Sequence, residues 1–93
     1  MQIIWTPEAL QDRIVIWEYI VADNPLAAVK MDALFSHAAN QLSLYPEMGR
    51  IGDVAGTREL IPHESYRLIY EVKQSEVWIL ALIHTAQQWP PVY

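Results

Sequence analysis

Arg67 and His84 are the residues of this chain whose types and spacing are best suited to chemistry. They sit on two apolar stretches, 66–72 and 77–83 with His84 following, that read as a hairpin around Lys73-Gln74-Ser75-Glu76. Facing Val72 with Val77 sets Tyr70 opposite Ile79, Leu68 opposite Ala81 and Tyr66 opposite Ile83. Arg67 then lies opposite Leu82 and diagonal to His84, with Cβ atoms roughly 7–8 Å apart. A fixed cation and an imidazole at that separation can hold one small anion between them. The competing readings are structural: Arg67 as the ion-pair partner of a neighbour such as Glu59, and His84 as a hydrogen-bonded residue at a strand end.

Two further arginines, Arg50 and Arg58, flank the stretch 49–56, which holds all three glycines of the chain and reads as a loop. The planar guanidinium fork fits a carboxylate on a protein or a phosphate on a nucleic acid. With Arg67 they make the expected target-binding set, gathered at one end of the sheet. His37 on a helix and His63 in a turn stand apart from it. No pair of histidines or carboxylates has metal-ligand spacing and there is no cysteine, so no metal or other cofactor is expected.

The elements that must position these residues follow from the apolar pattern. Residues 2–5 read as a short strand. Thr6, Pro7 and Glu8 then supply an N-cap, a proline at the first helical position and an acid at the positive end of the dipole. Leu10, Ile14, Trp17 and Val21 recur at helical spacing and mark the expected buried stripe of the first helix. Asp23-Asn24-Pro25 ends it and caps a second, whose stripe is Ala27, Met31, Leu34, Phe35, Ala38 and Leu42. So short a connector makes the two helices antiparallel. Strands are expected at 57–61, 66–72 and 77–83. The class is α+β: an antiparallel sheet of the N-terminal strand plus a three-strand meander, covered on one face by a helical hairpin. In the register above, the uncovered face carries Trp78, Leu80 and Leu82 beside Arg67 and His84. A small protein seldom leaves such a patch bare, so these three are the expected partner-binding residues.

The chain has 93 residues, 53% hydrophobic and 18% charged, which fits one domain spanning 1–93 and excludes a disordered or low-complexity chain. Its net charge of −5 has the wrong sign for a general polyanion binder. The imbalance lies in the first half: six acids against two bases up to Met48, then five against four. The longest apolar run is far short of the roughly twenty residues of a membrane span, and no basic leader precedes the first strand. The chain is expected to be soluble and cytoplasmic, with no membrane partner.

Five segments together carry a family resemblance. They are Asp23-Asn24-Pro25-Leu26-Ala27-Ala28 between the helices, Tyr45-Pro46-Glu47-Met48-Gly49-Arg50 after them, Gly56-Thr57-Arg58-Glu59-Leu60, Tyr66-Arg67-Leu68-Ile69-Tyr70-Glu71-Val72, and the run from Ile79 through His84-Thr85-Ala86-Gln87-Gln88-Trp89-Pro90. In this order, on a strand-helix-helix-meander layout, they resemble the RelE/ParE superfamily of toxins from bacterial type II toxin–antitoxin modules. The resemblance implies a cognate antitoxin that wraps the toxin and masks its groove, and one of two activities. RelE-like members cut mRNA on the ribosome, and ParE-like members poison DNA gyrase without a known hydrolytic site.

RNA cleavage requires removal of a proton from the 2′-hydroxyl, stabilisation of the phosphorane and protonation of the 5′-oxygen. His84 and Arg67 resemble the catalytic positions of some nuclease members, with Glu47 or Arg50 to complete the set. Against that, nuclease members are typically basic, whereas Lys30 and Lys73 are isolated here, the helices are acidic, and Thr85 stands where some members have an aromatic. The expectation is therefore a ParE-like gyrase inhibitor held by an antitoxin over Trp78, Leu80 and Leu82. A ribosome-dependent mRNA endonuclease is the alternative.

Overall fold

The computed structural model describes residues 1–91, so the last two residues of the expected 1–93 domain lie outside the described residues. Its elements run β1 (Gln2–Trp5), α1 (Pro7–Val21), α2 (Pro25–Gln41), β2 (Arg50–Ile51), β3 (Thr57–His63), β4 (Tyr66–Lys73) and β5 (Glu76–His84). Both helices start as their sequences dictate. Thr6 accepts a hydrogen bond from the Ala9 amide at 3.2 Å and Asn24 one from the Ala27 amide at 3.1 Å, each cap followed by a proline that has no amide to satisfy.

The strands form one five-stranded sheet in the order β1-β5-β4-β3-β2. It is mixed, which corrects the expected wholly antiparallel arrangement: β1 lies parallel to β5, with Ile3 beside Val77 and Trp5 beside Ile79. A parallel neighbour needs a long crossover, and everything between β1 and β5 supplies it. The expected loop 49–56 also contains the short edge strand β2, paired to β3 through Arg50–Glu59 and Ile51–Arg58.

The helical hairpin packs on one face of the sheet. Ala9, Phe35, Ala39 and Leu42 meet Leu68, Tyr70, Val77, Ile79 and Leu82 in the main core. On α1 the expected stripe holds only at its C-terminal end, where Trp17 and Val21 are half-buried. Ala9 is fully buried and Ile16 packs on the core, whereas Leu10 is 46% and Ile14 50% exposed. The helix is apolar on nearly every side, so period alone does not choose the inner face. Ala9, with a side chain small enough for close approach to the sheet, and Arg13, which reaches Asp32 and Ser36 on α2, orient it. The α2 stripe holds, with Leu34 at its edge and 37% exposed.

One irregularity decides what each sheet face displays. Tyr70 pairs with Ile79 and Val72 with Val77 as expected, but Ile69 pairs with Ala81, leaving Leu80 unopposed. Beyond this bulge the register has moved by one residue: Leu68 faces Leu82, Arg67 faces Ile83 and Tyr66 faces His84. A one-residue slip turns every later side chain to the other face. Leu82 and His84 therefore point to the helices, while Ala81 and Ile83 join Ile69 on the outer face, where Trp89 packs over them.

Candidate functional site

The bulge separates the two residues expected to share an anion. Arg67 lies on the outer face and His84 beside Tyr66 on the helix face, so the expected diagonal pair is not formed. Leu82 is likewise removed from the expected partner-binding patch. It is 2% exposed in the main core, while Trp78 and Leu80 are half-buried.

Arg67 is committed to an internal network. Its Nη1 donates to Glu59 Oε1 at 2.9 Å and its Nη2 to the Gln87 carbonyl, which draws the C-terminal tail over the sheet. The same Glu59 oxygen accepts from Arg50 Nη2 at 3.1 Å. Glu59 is 5% exposed and Arg67 9%, so this is the buried form of the ion pair that the competing reading of Arg67 named. Burial by itself would push the Glu59 carboxyl up, but its bonds to Arg67 and Arg50 outweigh that and hold it below the ordinary value. Arg58 also turns inward, donating to the Glu47 and Gly49 carbonyls and fastening the loop. Of the three expected target-binding arginines, Arg50, with its side chain 63% exposed, is the one displayed to solvent.

The loop carrying Glu47 and Arg50 is held from beneath by Tyr70. This fully buried phenol donates to the Pro46 carbonyl at 2.8 Å and accepts from the Gly49 amide at 2.9 Å. Gly49 passes so close that a Cβ there would stand 2.8 Å from the Glu59 carbonyl oxygen and 2.7 Å from the Tyr70 hydroxyl. The pinned segment presents Leu44, Tyr45, Met48 and Ile51 to solvent.

His84 lies instead at one end of a cleft of about 730 Å³ between α1 and the neighbouring ends of β4 and β5. Its Nδ1 accepts from the Ala86 amide at 3.2 Å, so the neutral ring carries its proton on Nε2. The Tyr66 ring meets it edge-on at 6.0 Å, and burial pushes the Tyr66 phenol up, keeping it neutral. Asp12 enters from α1 and accepts the Leu82 amide at 3.0 Å, just past the bulge. Burial raises its carboxyl, against that hydrogen bond, and Glu8 adds to the rise. Asp12 was not singled out from the sequence. The one visible signal was an acid among apolar residues of α1, and its meaning depends on the bulge.

Among the described residues no lysine or arginine lines the cleft. Arg13 is spent on Asp32 and Lys73 on Glu71. The site therefore offers an imidazole, two phenols and a carboxylate without a cation, a poor receptor for phosphate and a good one for a neutral or positively charged guest. Among the described residues no cluster of three or more His, Asp or Glu side chains is placed to hold a metal ion, and no helix is long and apolar enough to cross a membrane.

A helical hairpin on a mixed five-stranded sheet, with the meander last, is the architecture of the RelE/ParE toxins. The model of the ParE toxin family of type II toxin–antitoxin systems (parDE) matches residues 3–89, and the chain belongs to this family. It is 38% identical over 92 residues to the toxin candidate Y4kP of Sinorhizobium fredii, covering 98% of this chain and 95% of that one. It is also 38% identical over 86 residues to toxin RelE2 of Caulobacter vibrioides, covering 92% and 97%. Among solved structures it is similar to the chromosomal ParDE toxin–antitoxin system of P. aeruginosa, with a TM-score of 0.80 at 25% identity over 90% of this chain and 95% of that one. The YoeB/ParE toxin of Agrobacterium tumefaciens shares the fold at a TM-score of 0.66 and 17% identity, over 90% and 98% of the two chains.

Proposed function

We propose that this toxin arrests growth by binding DNA gyrase rather than by cutting RNA, and that a cognate antitoxin neutralises it. The observation that carries the reading is the separation of Arg67 from His84 across the sheet, which leaves His84 in a cleft without a cation. A cleavage site must stabilise a doubly charged phosphorane, and removal of such donors costs orders of magnitude in rate. Here Asp12 occupies the cleft instead, and the Arg67 guanidinium already serves Glu59 and Gln87. A surface for the target is offered by the pinned loop, with Leu44, Tyr45, Met48 and Ile51 exposed beside Arg50.

Purified toxin is expected to block gyrase supercoiling at low stoichiometry, and cells expressing it to filament with an induced DNA-damage response. Supercoiling unaffected at saturating toxin, together with codon-boundary cuts in mapped transcripts, would instead establish the ribosome-dependent endonuclease. Arg50→Ala should weaken the gyrase block by about tenfold or more, the effect of losing one charged contact at an interface, with only a modest fall in melting temperature because Arg67 still holds Glu59. Arg58→Ala should act on the loop's order rather than on target contact, seen as faster amide exchange at Gly49.

A further inference from the structure

We propose that the cleft between α1 and the ends of β4 and β5 receives a cationic, amphipathic segment of a protein partner, an apolar side chain resting on Ile16, Ile20 and Met31 and an arginine or lysine reaching Asp12. The inference rests on the toxin–antitoxin reading above and gives the chemistry of the antitoxin segment that this cleft fits.

Charge complementarity argues for the occupant. One Asp12 oxygen is held by the Leu82 amide, and the other has no protein partner among the described residues. Arg13 and Asp32 neutralise each other, and the helical hairpin then adds Glu8, Glu18 and Asp23 against Lys30. The field at the cleft is therefore negative, drawing a basic segment in and turning an acidic one away. The raised carboxyl of Asp12 marks a charge held at a desolvation cost, which an incoming guanidinium or ammonium would offset.

Shape and exposure agree. The cleft volume suits several side chains of a peptide segment. At its rim Tyr19 is 80% exposed and Val15 54%, apolar surface that an isolated small domain has no reason to display. Tyr19 lines the same cleft as Asp12 and, being exposed, offers an aromatic surface to the stem of an inserted arginine or lysine.

The test is the affinity of the antitoxin encoded with this toxin for wild-type toxin and for Asp12→Asn and Tyr19→Ala. Asn at position 12 keeps an acceptor for the Leu82 amide and removes only the charge, and Tyr19 is too exposed to support the fold, so both variants should melt close to wild type. Each is expected to lose affinity by tenfold or more, and Asp12→Asn should also flatten the decline of affinity with salt. Antitoxin binding that stays within twofold of wild type in both variants would overturn the assignment while upholding the toxin–antitoxin pairing. Loss confined to Tyr19→Ala would overturn the cationic occupant, and absence of any binding to wild-type toxin would overturn the pairing and this proposal together.

Discussion

Glu59→Ala is expected to cost about 3–5 kcal/mol of folding stability, the penalty for leaving a buried guanidinium without its counter-charge. Small domains hold only about 5–15 kcal/mol in all, so the variant should have a urea midpoint far below wild type or fail to accumulate. Arg67 cannot escape to water by rotation. It is 9% exposed, lies under the returning tail, and already has its Nε buried without a partner. Arg67→Lys should not rescue the arrangement, because an ammonium cannot reach Glu59 and the Gln87 carbonyl at once with the geometry of the fork.

The same network sets a pH dependence. Its carboxyl titrates lower in the folded chain than in the unfolded one, because the two guanidiniums outweigh burial. A depressed folded value means that the contribution to stability is complete above the ordinary value of 4.5 and is lost as pH falls through the folded value. Urea midpoints of wild type should fall across that acidic window. Those of Glu59→Gln should start lower and change less there.

Tyr70→Ala is expected to be as damaging, at about 3–5 kcal/mol, the range for removing a large buried aromatic. The ring is fully buried in the core between the helices and the sheet. Its hydroxyl adds something the ring does not: it satisfies the Pro46 carbonyl and the Gly49 amide together. Tyr70→Phe isolates that second role and should cost about 1–3 kcal/mol, the price of unmade bonds at buried groups. Amide exchange should locate the loss at Gly49, Arg50 and Ile51, with the helices still protected. Gly49→Ala should resemble it for a different reason, since the added methyl has the Glu59 backbone against it and must part β2 from β3. In each case toxicity should fall with loop order, because Arg50 and the apolar residues around it depend on this pin for their positions.

Local chemistry was legible in the sequence because its rules act over a few residues. Thr6-Pro7 and Asn24-Pro25 announce helix starts whatever lies around them, and both cap as expected. The turn at Lys73–Glu76 closes in the expected register, with Val72 opposite Val77. The order of elements and the family resemblance follow from the same local signals taken in sequence. The short strand β2 escaped because two residues have no period; its pairing depends on β3 as a template.

Only the tertiary structure decided which faces matter. From Trp78 to Ile83 every residue is apolar, so no alternation distinguishes one face from the other and a bulge at Leu80 leaves no trace in the pattern. That single unopposed residue sends Leu82 into the core, His84 to the helices and Ile83 to the outer face beneath Trp89. It also brings the Leu82 amide to Asp12, which is why α1 turns an acid toward the sheet. On α1 the ambiguity is of the same kind: several apolar stripes compete, and packing against Arg13's partners on α2 and the close approach at Ala9 select among them. Arg67 and His84 are thus parted by a register that hydrophobic periodicity cannot encode, since burial on both faces of β5 removes the contrast that would have fixed it.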